Sequence, residues 1–585
     1  MECSAFQLFL WFAKVLGLLA ALVVARGVLW LVNLLVVAPR FDPLRNLPGP
    51  DAPAFHSHFH EVNDPDITPA IYHDWTKNLF GKTFRYHGYG KHDYRLMSFD
   101  LRVLSHVLTS PVYEKPWQTR AYLGRLLGRG KTLSQSRRKR KFTVIVGVFN
   151  MEGAEHRALR KLIGPAFTAQ AVKGMTPIFF QKAEELRDRW DALLPANGPG
   201  SATFDVAHWI SRTAFDIFGL AGFDYHFNAL HDESEQVYSA YRRMFTISDK
   251  ASQTRVLKQL YLPIVERIWP DEDDKITQQC LKTIRDCGIG LIHTKKETCM
   301  AEKLDFRSEE KDILSLLIKS NLSNEPSNRL SDTELLDQLS SFLFAGSDST
   351  AVAITWCLHI LSQHPDVQDR LRAEIISGPA PDTTTSSKRN STSSVSSTSS
   401  VMQADTIDAL PYLDAVLRET LRVSPPVHGT VRVATTDDLI PISSPVILRN
   451  GKIIRENEHI RIKKGSFVHI PVEGINMSED IWGPDARQFN PDRWTSLPAG
   501  ATPPSFPGLA NLMSFSFGRA SCPGYRFALL EAKIIIATLL PQFVFSPVEG
   551  IEIGKYNSVL TRPFVREKLD TEGIQLPLRI SRYID

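Results

Sequence analysis

The stretch SFSFGRASCPGYRFALLEAK, Ser514 to Lys533, combines a single cysteine with flexible residues and an apolar helical pattern. Pro523 suits the first turn of a helix, where no N–H bond is lost. Gly518 and Gly524 permit tight turns or the close approach of a flat ligand. A thiol at a helix N-terminus meets the positive end of the macrodipole, which favours the thiolate. On this local pattern alone, Cys522 is a metal ligand, a nucleophile or an ordinary buried residue.

The composition of the whole chain is that of a globular protein with a large core. The 585 residues are 43% hydrophobic and 23% charged, and the formal net charge of +4 is too small to indicate nucleic-acid binding. None of the six cysteines forms a CxxC pair or a Cys/His cluster with zinc spacing. So few cysteines in a long chain argue against a disulfide scaffold and favour a reducing compartment.

The N-terminus differs from the rest because Ala5 to Val37 is almost wholly apolar, with only Lys14 and Arg26 charged. A bilayer core needs about 20 apolar residues, so residues 1–38 are predicted to be a retained membrane anchor. A cleaved signal peptide fits less well, since the apolar region is too long and no A-x-A-like site follows it.

A short basic and proline-rich stretch follows the anchor. Arg40 and Arg45 lie just after the apolar segment, and the positive-inside rule then places the body of the protein in the cytosol. The prolines of residues 39–53 cannot sustain a helix, so this stretch is predicted to be a stiff, extended connector.

Residues 54–585 are predicted to be one catalytic domain, mainly α with a minor β region. Helical patterns dominate from Glu155 to Ile376, and strand-like segments such as residues 452–472 gather later in the chain. The tract Thr383 to Met402 has almost no apolar side chains, so it is predicted to be a disordered surface loop.

One long helix is predicted over residues 330–366. Ser331 and Glu334 form a capping-box pattern at its start, and Pro365 is the stop signal. Its middle is apolar on every side, so it should be buried. A second transmembrane helix is the rival interpretation, against which Asp348 counts.

The segment FSFGRASCPG resembles the haem-binding loop of cytochromes P-450, usually written FxxGxRxCxG. Four residues fall on this pattern: Phe515, Gly518, Cys522 and Gly524. The resemblance implies that Cys522 is the axial thiolate ligand of haem b and that the other three belong to the cofactor-binding loop. The family's arginine two places before the cysteine is replaced here by Ala520, while Arg519 stands one place earlier. Whether Arg519 takes over the propionate contact stays open.

Two further segments match the family's structural lock. ETLR supplies Glu419 and Arg422, the ExxR pair, which share a helix face and can form an ion pair. FNPDRW follows, with Phe489, Pro491 and Arg493 on the family's PERF-type pattern. The resemblance implies that this arginine joins the Glu–Arg pair and locks the core beside the haem loop.

The segment AGSDST, Ala345 to Thr350, resembles the family's oxygen-activating segment. Gly346 is expected to let the helix lie close over a flat cofactor. Ser349 stands where threonine is usual, and its hydroxyl can bond the carbonyl of Ala345 and open the helix. The resemblance implies that Asp348 and Ser349 are the acid–alcohol pair that relays protons, with Thr350 able to share the role.

Three more residues are expected to hold the haem propionates. AEHRALRKLIGPAFT resembles the helix whose aromatic and basic side chains do so in the family. His156 stands where tryptophan is common, and Arg160 is the matching arginine. Arg432, in PPVHGTVR, matches a further propionate contact.

The resemblance covers nearly the whole chain from Leu47 onward, and its motifs come in the family's order. The anchor and connector fit the membrane-bound eukaryotic type, and YRFALLEAK is similar to fungal members. Family members usually pass from LLGRG almost directly to EGxxHR, so residues 131–150 are unusual. They are a real insertion or a retained intron in the gene model.

The resemblance implies a haem-thiolate monooxygenase in fungal secondary metabolism that hydroxylates or epoxidises a lipophilic substrate with O2. We expect a single-pass protein of the endoplasmic reticulum membrane with a cytosolic catalytic domain. No flavin or dinucleotide fingerprint is evident, so electrons are expected from NADPH–cytochrome reductase, with cytochrome b5 as a further candidate. No nucleic-acid partner is expected. Two alternatives stay open: a haem-thiolate peroxide isomerase or dehydratase, and a haem-binding protein without turnover.

Overall fold

The computed structural model describes residues 2–53, 56–127, 151–195, 200–250, 252–261, 265, 268–301, 312–323, 330–378, 397–503, 506, 508 and 512–584. The unusual segment 131–150 and the tract from residue 383 to 396 lie outside these ranges. The chain divides into two compact units. The smaller unit comprises Met1–Glu114 and Val431–Pro471, and the larger comprises Lys115–Thr430 and Val472–Asp585.

Helices form most of the regular structure in the described residues. Toward the N-terminus they are α1 (Glu2–Val32), α2 (Ala38–Arg40), α3 (Phe59–Asn63), α4 (Thr68–His73), α5 (Leu101–Thr109) and α6 (Trp117–Leu126). The middle of the chain contains α7 (Gly153–Ile163), α8 (Ala169–Gly174), α9 (Thr176–Leu193), α10 (Val206–Phe223), α11 (Gln236–Asp249), α12 (Gln253–Tyr261), α13 (Glu272–Ala301) and α14 (Ile313–Ser323). These are followed by α15 (Asp332–Leu343), α16 (Ser349–Gln363), α17 (Pro365–Ser377), α18 (Ser397–Asp408), α19 (Pro411–Val423), α20 (Val472–Asn476), α21 (Glu479–Trp482) and α22 (Tyr525–Leu539).

Strands are short and form a minor part of both units. In chain order they are β1 (Thr83–His87), β2 (Tyr94–Ser98), β3 (Tyr113–Glu114), β4 (Ser201–Asp205), β5 (Thr430–Ala434), β6 (Asp438–Pro441), β7 (Val446–Ile447), β8 (Ile453–Ile454), β9 (His459–Ile462), β10 (Phe467–Ile470), β11 (Phe543–Pro547), β12 (Ile553–Asn557), β13 (Thr561–Val565) and β14 (Pro577–Arg582). The prediction of a mainly α fold with a minor β region is confirmed.

The smaller unit is built on a five-stranded sheet with the order β1-β2-β10-β5-β3. β1 and β2 are antiparallel, whereas β10 runs parallel to β2. Two further antiparallel pairs, β6 with β9 and β7 with β8, belong to the same unit. All five residues of β1 are buried, so this strand lies inside the unit.

The anchor segment continues from α1 through a widened turn at Asn33–Val37 into α2. Residues Lys14–Arg40 are long and apolar enough to cross a membrane, with a mean hydropathy of 2.4 and none of the most apolar stretch buried in protein. This helix is consistent with membrane anchoring.

The connector, residues 39–53, is bound to the smaller unit instead of extending freely. Leu44 and Leu47 are buried, and the carboxylate of Asp51 accepts two hydrogen bonds from Arg449 at 2.6 and 2.8 Å. The carbonyl of Asn46 accepts the N–H of Arg449 at 2.8 Å. Its prolines therefore stiffen a segment that is already part of a folded unit.

The larger unit contains the predicted long helix, which the structure divides into α15, a widened turn at Phe344–Asp348, and α16. The capping box of Ser331 and Glu334 is confirmed, since each side chain bonds the backbone N–H of the other. α16 ends at Gln363, just before Pro365, as predicted.

Buried helices surround this element. α10 is buried along almost its whole length and packs against α16 and the widened turn. Asp205 caps the start of α10 by accepting the N–H groups of Ala207 and His208 at 3.1 and 3.4 Å. α22, which follows the Cys522 segment, also contacts α16.

The end of the Ser/Thr-rich tract differs from the prediction of a disordered loop. Residues 397–402 belong to α18, which runs from Ser397 to Asp408. Ala404 and Ile407, farther along the helix, are buried. The apolar residues after the tract therefore extend helical structure back into its polar end.

Candidate active site

The segment around Cys522 folds as a loop between two short 3₁₀ turns and α22. The backbone N–H of Cys522 donates to the carbonyl of Phe515 at 2.8 Å. Gly518 has φ +68°, which favours glycine there. α22 begins at Tyr525 with Gly524 as its N-cap. Cys522 thus precedes the first turn of the helix, slightly outside the position predicted for it.

The surroundings of the thiol do not by themselves produce a thiolate. Burial raises the pKa of Cys522 above its ordinary value, although the backbone N–H of Gly524 and the charge of Arg160 act in the opposite direction. Burial is the largest of these causes, so the raised pKa is opposite to the lowered pKa that a helix N-terminus favours. A metal cation bound at the sulfur would reverse this balance, because a coordinating thiol is deprotonated.

Basic side chains lie beside the loop. Arg160, on α7, donates to the carbonyl of Ser521, next to the cysteine. Arg519 is partly buried, and its guanidinium makes no hydrogen bond or ion pair within the described part of the chain. These residues supply positive charge near the only cysteine in the loop.

His156 lies on α7 one turn before Arg160, as the sequence indicated. Burial lowers its pKa to about 4, and the positive charges of Lys115, Arg160 and Arg519 contribute to this shift against Glu152. His156 is therefore neutral near pH 7 and adds no charge there. Lys115, which the sequence analysis did not select, lies 3.7 Å from Glu152.

Arg432 lies on β5 and belongs to the smaller unit. It is buried, and its guanidinium donates to the carbonyl of Val431 at 3.0 Å. The other predicted site residues belong to the larger unit.

The structure brings the three predicted lock residues together. Arg422 donates to both carboxylate oxygens of Glu419 at 2.7 and 2.9 Å, and both side chains are fully buried. The Nε of Arg493 lies 3.4 Å from Oε1 of Glu419. Arg493 also forms a two-point pair with Asp485 at 2.7 and 2.8 Å. Two guanidinium groups thus share the Glu419 carboxylate.

Neighbouring groups complete this network. Oε2 of Glu419 accepts the indole N–H of Trp494 at 2.9 Å, and Oε1 accepts the backbone N–H of Asn490 at 2.9 Å. The hydroxyl of Ser514 donates to the carbonyl of Leu421 at 2.6 Å. The lock helix α19 is thereby tied to the start of the Cys522 loop.

The widened turn has the hydrogen bond predicted for it. The hydroxyl of Ser349 donates to the carbonyl of Ala345 at 2.7 Å, and that of Thr350 approaches the carbonyl of Gly346 at 3.3 Å. The backbone from Phe344 to Asp348 is widened by one residue relative to an α-helix.

The packing of a neighbouring helix gives a further reason for a glycine at position 346. A Cβ at this position would lie 1.9 Å from a ring carbon of Phe218 on α10. Phe218 also contacts Phe527 on α22, with ring centroids 5.8 Å apart. The glycine therefore admits a phenylalanine that packs between the widened turn and the helix after Cys522.

Asp348 is held in a buried ion pair. Its carboxylate accepts two hydrogen bonds from Arg562, on β13, at 2.5 and 3.0 Å. Asp249, at the end of α11, lies 3.0 Å from the same guanidinium. Arg562 and Asp249 were not selected from the sequence, where a lone arginine in an apolar strand carries no specific signal.

The donor set around Cys522 fits a haem group. A single thiol is the ligand type of haem-thiolate proteins, and Arg160 and Arg519 supply positive charge for two acidic propionates. All residues from Ser514 to Tyr525 are only partly buried, whereas Met513 and Phe527 on either side are buried. The loop therefore presents its thiol at a surface that the chain's own side chains leave accessible.

Comparisons with known proteins identify the family. Residues 129–563 match the model of the Cytochrome P450 family. Cytochrome P450 monooxygenase 205 of Postia placenta is 35% identical over 577 residues, covering 96% of this chain and 97% of the relative. Cytochrome P450 monooxygenase claP of Ampulloclitocybe clavipes is 31% identical over 562 residues, with coverage of 94% and 95%. The chain belongs to the cytochrome P450 family and is a monooxygenase of the fungal type.

A solved structure supports the same fold. The crystal structure of the cytochrome P450 CYP102L1 matches with a TM-score of 0.64 at 21% identity, covering 89% of this chain and 100% of that one. Membership of the family implies a haem-thiolate cofactor, a small-molecule substrate and electrons delivered by a redox partner.

Proposed function

We propose that Cys522 is the axial thiolate of haem b in an enzyme that hydroxylates or epoxidises a lipophilic small molecule of fungal secondary metabolism. The observation that carries the proposal is the Cys522 loop, with its partly buried thiol and the adjacent Arg160. A relative from Ganoderma lucidum, 29% identical over 541 residues and covering 87% of this chain and 89% of its own length, is named a ganoderic acid synthetase. That name supports a role in making a specialised metabolite.

The residues that would hold the haem follow from the site. Cys522 would bind the iron, Phe515, Gly518 and Gly524 would shape the loop, and Arg160 and Arg519 would pair with the propionates. When bound, haem supplies the activation of O2 and the transfer of one oxygen atom. We assign His156 to a packing role beside the propionates because it is neutral near pH 7, and Arg432 to a further propionate contact.

Ser349, Asp348 and Thr350 would handle protons. The hydroxyl of Ser349 donates to the carbonyl of Ala345 at 2.7 Å, so its oxygen stays at the widened turn and can accept a hydrogen bond from a neighbouring proton donor. Asp348 lies one residue earlier and is the acid of this segment. Glu419, Arg422 and Arg493 keep the loop in place through the contact of Ser514 with Leu421.

The proposal also covers the location of the enzyme and its electron donors. The apolar helix Lys14–Arg40 would cross the endoplasmic reticulum membrane once, with the catalytic part in the cytosol. Electrons would come from NADPH–cytochrome reductase, with cytochrome b5 as an additional donor. The family relationship and the apolar helix support this arrangement.

A difference spectrum of the reduced protein with carbon monoxide tests the ligand. The full-length protein should show the long-wavelength Soret band of thiolate ligation, and Cys522→Ser should lose this band while haem stays bound. Retention of the band in Cys522→Ser would contradict the assignment.

The reaction class needs a second measurement. We expect NADPH and O2 consumption in the presence of reductase and a lipophilic compound that produces a type I spectral shift. Reaction with a lipid hydroperoxide, without any reaction with reductase, NADPH and O2, would support an isomerase or dehydratase. A normal spectrum without oxygen use across many compounds would support a protein without turnover.

A further inference from the structure

Three buried ionisable groups from three elements meet in the larger unit. Asp249 ends α11, Asp348 lies in the widened turn, and Arg562 is on β13. Their side chains are 5%, 8% and 4% exposed. We call these three residues the shared-arginine cluster.

The two carboxylates are bound unequally. Both terminal nitrogens of Arg562 donate to Asp348, at 2.5 and 3.0 Å, in a two-point pair. The Nε of Arg562 lies 3.0 Å from Oδ2 of Asp249, but it has no hydrogen-bond acceptor within the described residues. Asp249 instead accepts the hydroxyl of Ser558 at 2.6 Å on its other oxygen. Asp348 therefore receives most of the stabilisation that Arg562 offers.

A charge count identifies the imbalance. Two ionised carboxylates against one guanidinium would leave one uncompensated negative charge in a buried site, which is strongly unfavourable. Burial raises the pKa of Asp249, and Asp348 adds to this shift, whereas Arg562 and Ser558 oppose it. Burial lowers the pKa of Arg562, but the two carboxylates outweigh it and raise the pKa overall. Arg562 therefore stays charged, and a proton on one of the two carboxyl groups would remove the imbalance.

The other groups around Asp249 do not remove this imbalance. Arg242, on the same helix, is a weaker favourable charge. Lys250, the next residue, bonds the carbonyl of Asp570 at 2.8 Å. Within the part of the chain that the structure describes, three phenols also lie near the cluster, and their pKa values are raised, with burial as the largest cause: Tyr122, Tyr241 and Tyr556.

We propose that Asp249 and Asp348 share one proton, which resides on Asp249 while Arg562 is paired with ionised Asp348. Arg562 is then a positioning residue: it determines which carboxyl group is neutral. If Asp348 takes up a proton, Arg562 can serve as the counter-ion of Asp249, so the total charge of the cluster stays near zero. The cluster is thus a buried one-proton store at the widened turn. Its consequence for turnover rests on the proposed role of Asp348, but the proton itself can be observed without turnover.

Infrared difference spectroscopy of the full-length holoenzyme tests the shared proton. The wild-type protein should show the carbonyl stretch of a buried carboxylic acid that shifts in D2O and on ¹³C labelling of aspartate. Asp249→Asn should remove this band. Asp348→Asn should also remove it, although Asp249 is still present, because Arg562 is then free to pair with ionised Asp249. Persistence of the band in either variant would overturn the proposal.

Glu531 provides the matched control. This carboxyl group is fully buried, both its oxygens lack a hydrogen-bond partner within the described residues, and burial raises its pKa well above the ordinary value. Its band should be insensitive to aspartate labelling and should disappear only in Glu531→Gln. Loss of the aspartate band in Glu531→Gln would also contradict the assignment.

Thermal unfolding gives an independent measurement. The midpoint of Asp249→Asn should change in opposite directions depending on whether Asp249 is neutral or ionised in the folded protein. A raised pKa in the folded protein means that Asp249 lowers stability as pH increases above the unfolded value of 3.8. Asp249→Asn imitates the neutral acid, so its midpoint at pH 8 should equal or exceed that of the wild type, by up to about 3 °C. A lower midpoint would show that Asp249 is a needed anion and would reject the shared proton.

These outcomes are separable from those of the proposed function. Absence of the long-wavelength carbon-monoxide band would count against the thiolate assignment and would leave the infrared result unchanged. A normal carbon-monoxide spectrum with no aspartate band would reject the shared proton alone.

Discussion

Ser349 holds its hydroxyl at the widened turn by donating to the carbonyl of Ala345. Thr355 makes the same kind of bond within a regular helix, so the bond alone does not account for the widening. The sequence was sufficient to predict this bond because both partners lie within one turn. It was not sufficient to predict the partner of Asp348, since Arg562 is 214 residues away.

Ser349→Ala should leave the carbon-monoxide spectrum unchanged but lower the fraction of electrons from NADPH that end in product. Without the hydroxyl, the turn loses a group that can pass on protons, and we expect product per NADPH to fall by roughly tenfold or more. Hydrogen peroxide released per NADPH consumed, measured with the reductase, should rise. Ser349→Thr should behave like the wild type.

Thr355→Ala is the matched control for this prediction. Thr355 makes the same kind of bond, to the carbonyl of Ala351 at 2.7 Å, but lies within regular α16. It should change stability slightly and leave peroxide release unchanged. Equal peroxide release by the wild type and Ser349→Ala would rule out a role for the hydroxyl.

His156 predicts an acid-sensitive contribution to stability. Its pKa is lowered to about 4, chiefly by burial, from an ordinary value of about 6.5. The neutral form is favoured in the folded protein, so this contribution is present above pH 6.5 and is lost as pH falls toward 4. Between pH 6.5 and pH 4, the free energy of unfolding measured in urea should therefore fall less for His156→Trp than for the wild type.

His293→Gln is a suitable comparison for the acid series. The side chain of His293 is 75% exposed on α13, and its Nδ1 lies 3.5 Å from Oε1 of Glu297. Its substitution should leave the acid dependence of unfolding unchanged. Identical acid curves for the wild type and His156→Trp would show that the histidine is not held neutral.

At the scale of the elements, a buried hydrogen-bond network joins α19 to the segment after α21. The sequence predicted three of its members, Glu419, Arg422 and Arg493, but not the remaining contacts. The ExxR spacing places Glu419 and Arg422 on one helix face, which is a local property. The contacts of Trp494 and Asp485 depend on how distant segments pack, so spacing alone could not predict them.

Arg493→Ala should destabilise the protein by about 3–5 kcal/mol, because it leaves Asp485 and part of Glu419 without their buried partner. Asp492→Ala, one residue earlier, breaks a pair with Arg370 in which both side chains are 55% exposed. That change should cost about 1 kcal/mol or less. Urea unfolding of the two variants measures both, and similar losses would argue against a special role for the network.

The packing of α10 on the widened turn gives another test. Gly346→Ala places a methyl group 1.9 Å from a ring carbon of Phe218, so it should cost about 1–3 kcal/mol of stability. Phe218→Leu in the same chain should recover part of this loss. Gly290→Ala, at a helical glycine with nothing within 4 Å, should be neutral or stabilising. A wild-type unfolding midpoint for Gly346→Ala would contradict the packing argument.

At the scale of the whole molecule, the sequence predicted the fold class, the apolar anchor and the family because each depends on local patterns or ordered motifs. It did not predict the division into two compact units, which depends on contacts between distant segments. It also did not identify the substrate, because substrate contacts are made by loops whose spacing carries no general rule.

Deletion of residues 2–40 tests the proposed membrane attachment, because the shortened protein should be recovered in the supernatant. None of the most apolar stretch within Lys14–Arg40 is buried in protein, so the folded units should keep their carbon-monoxide spectrum. Sedimentation after a carbonate wash measures the change, with the full-length chain as the control. Carbonate-resistant binding of the shortened protein would show that another surface holds it to the membrane.

The bound connector would also limit how freely the protein moves in the membrane-bound arrangement proposed above. Only Phe41 and Asp42 separate the end of α2 at Arg40 from the turn that buries Leu44 in the smaller unit. Two residues span at most about 7 Å, so the smaller unit can move very little relative to the anchor helix. A tilt of the helix caused by a thicker or thinner bilayer would therefore tilt this unit as well. In the membrane-bound arrangement proposed above, the lipid composition of the bilayer would therefore affect the orientation of the smaller unit.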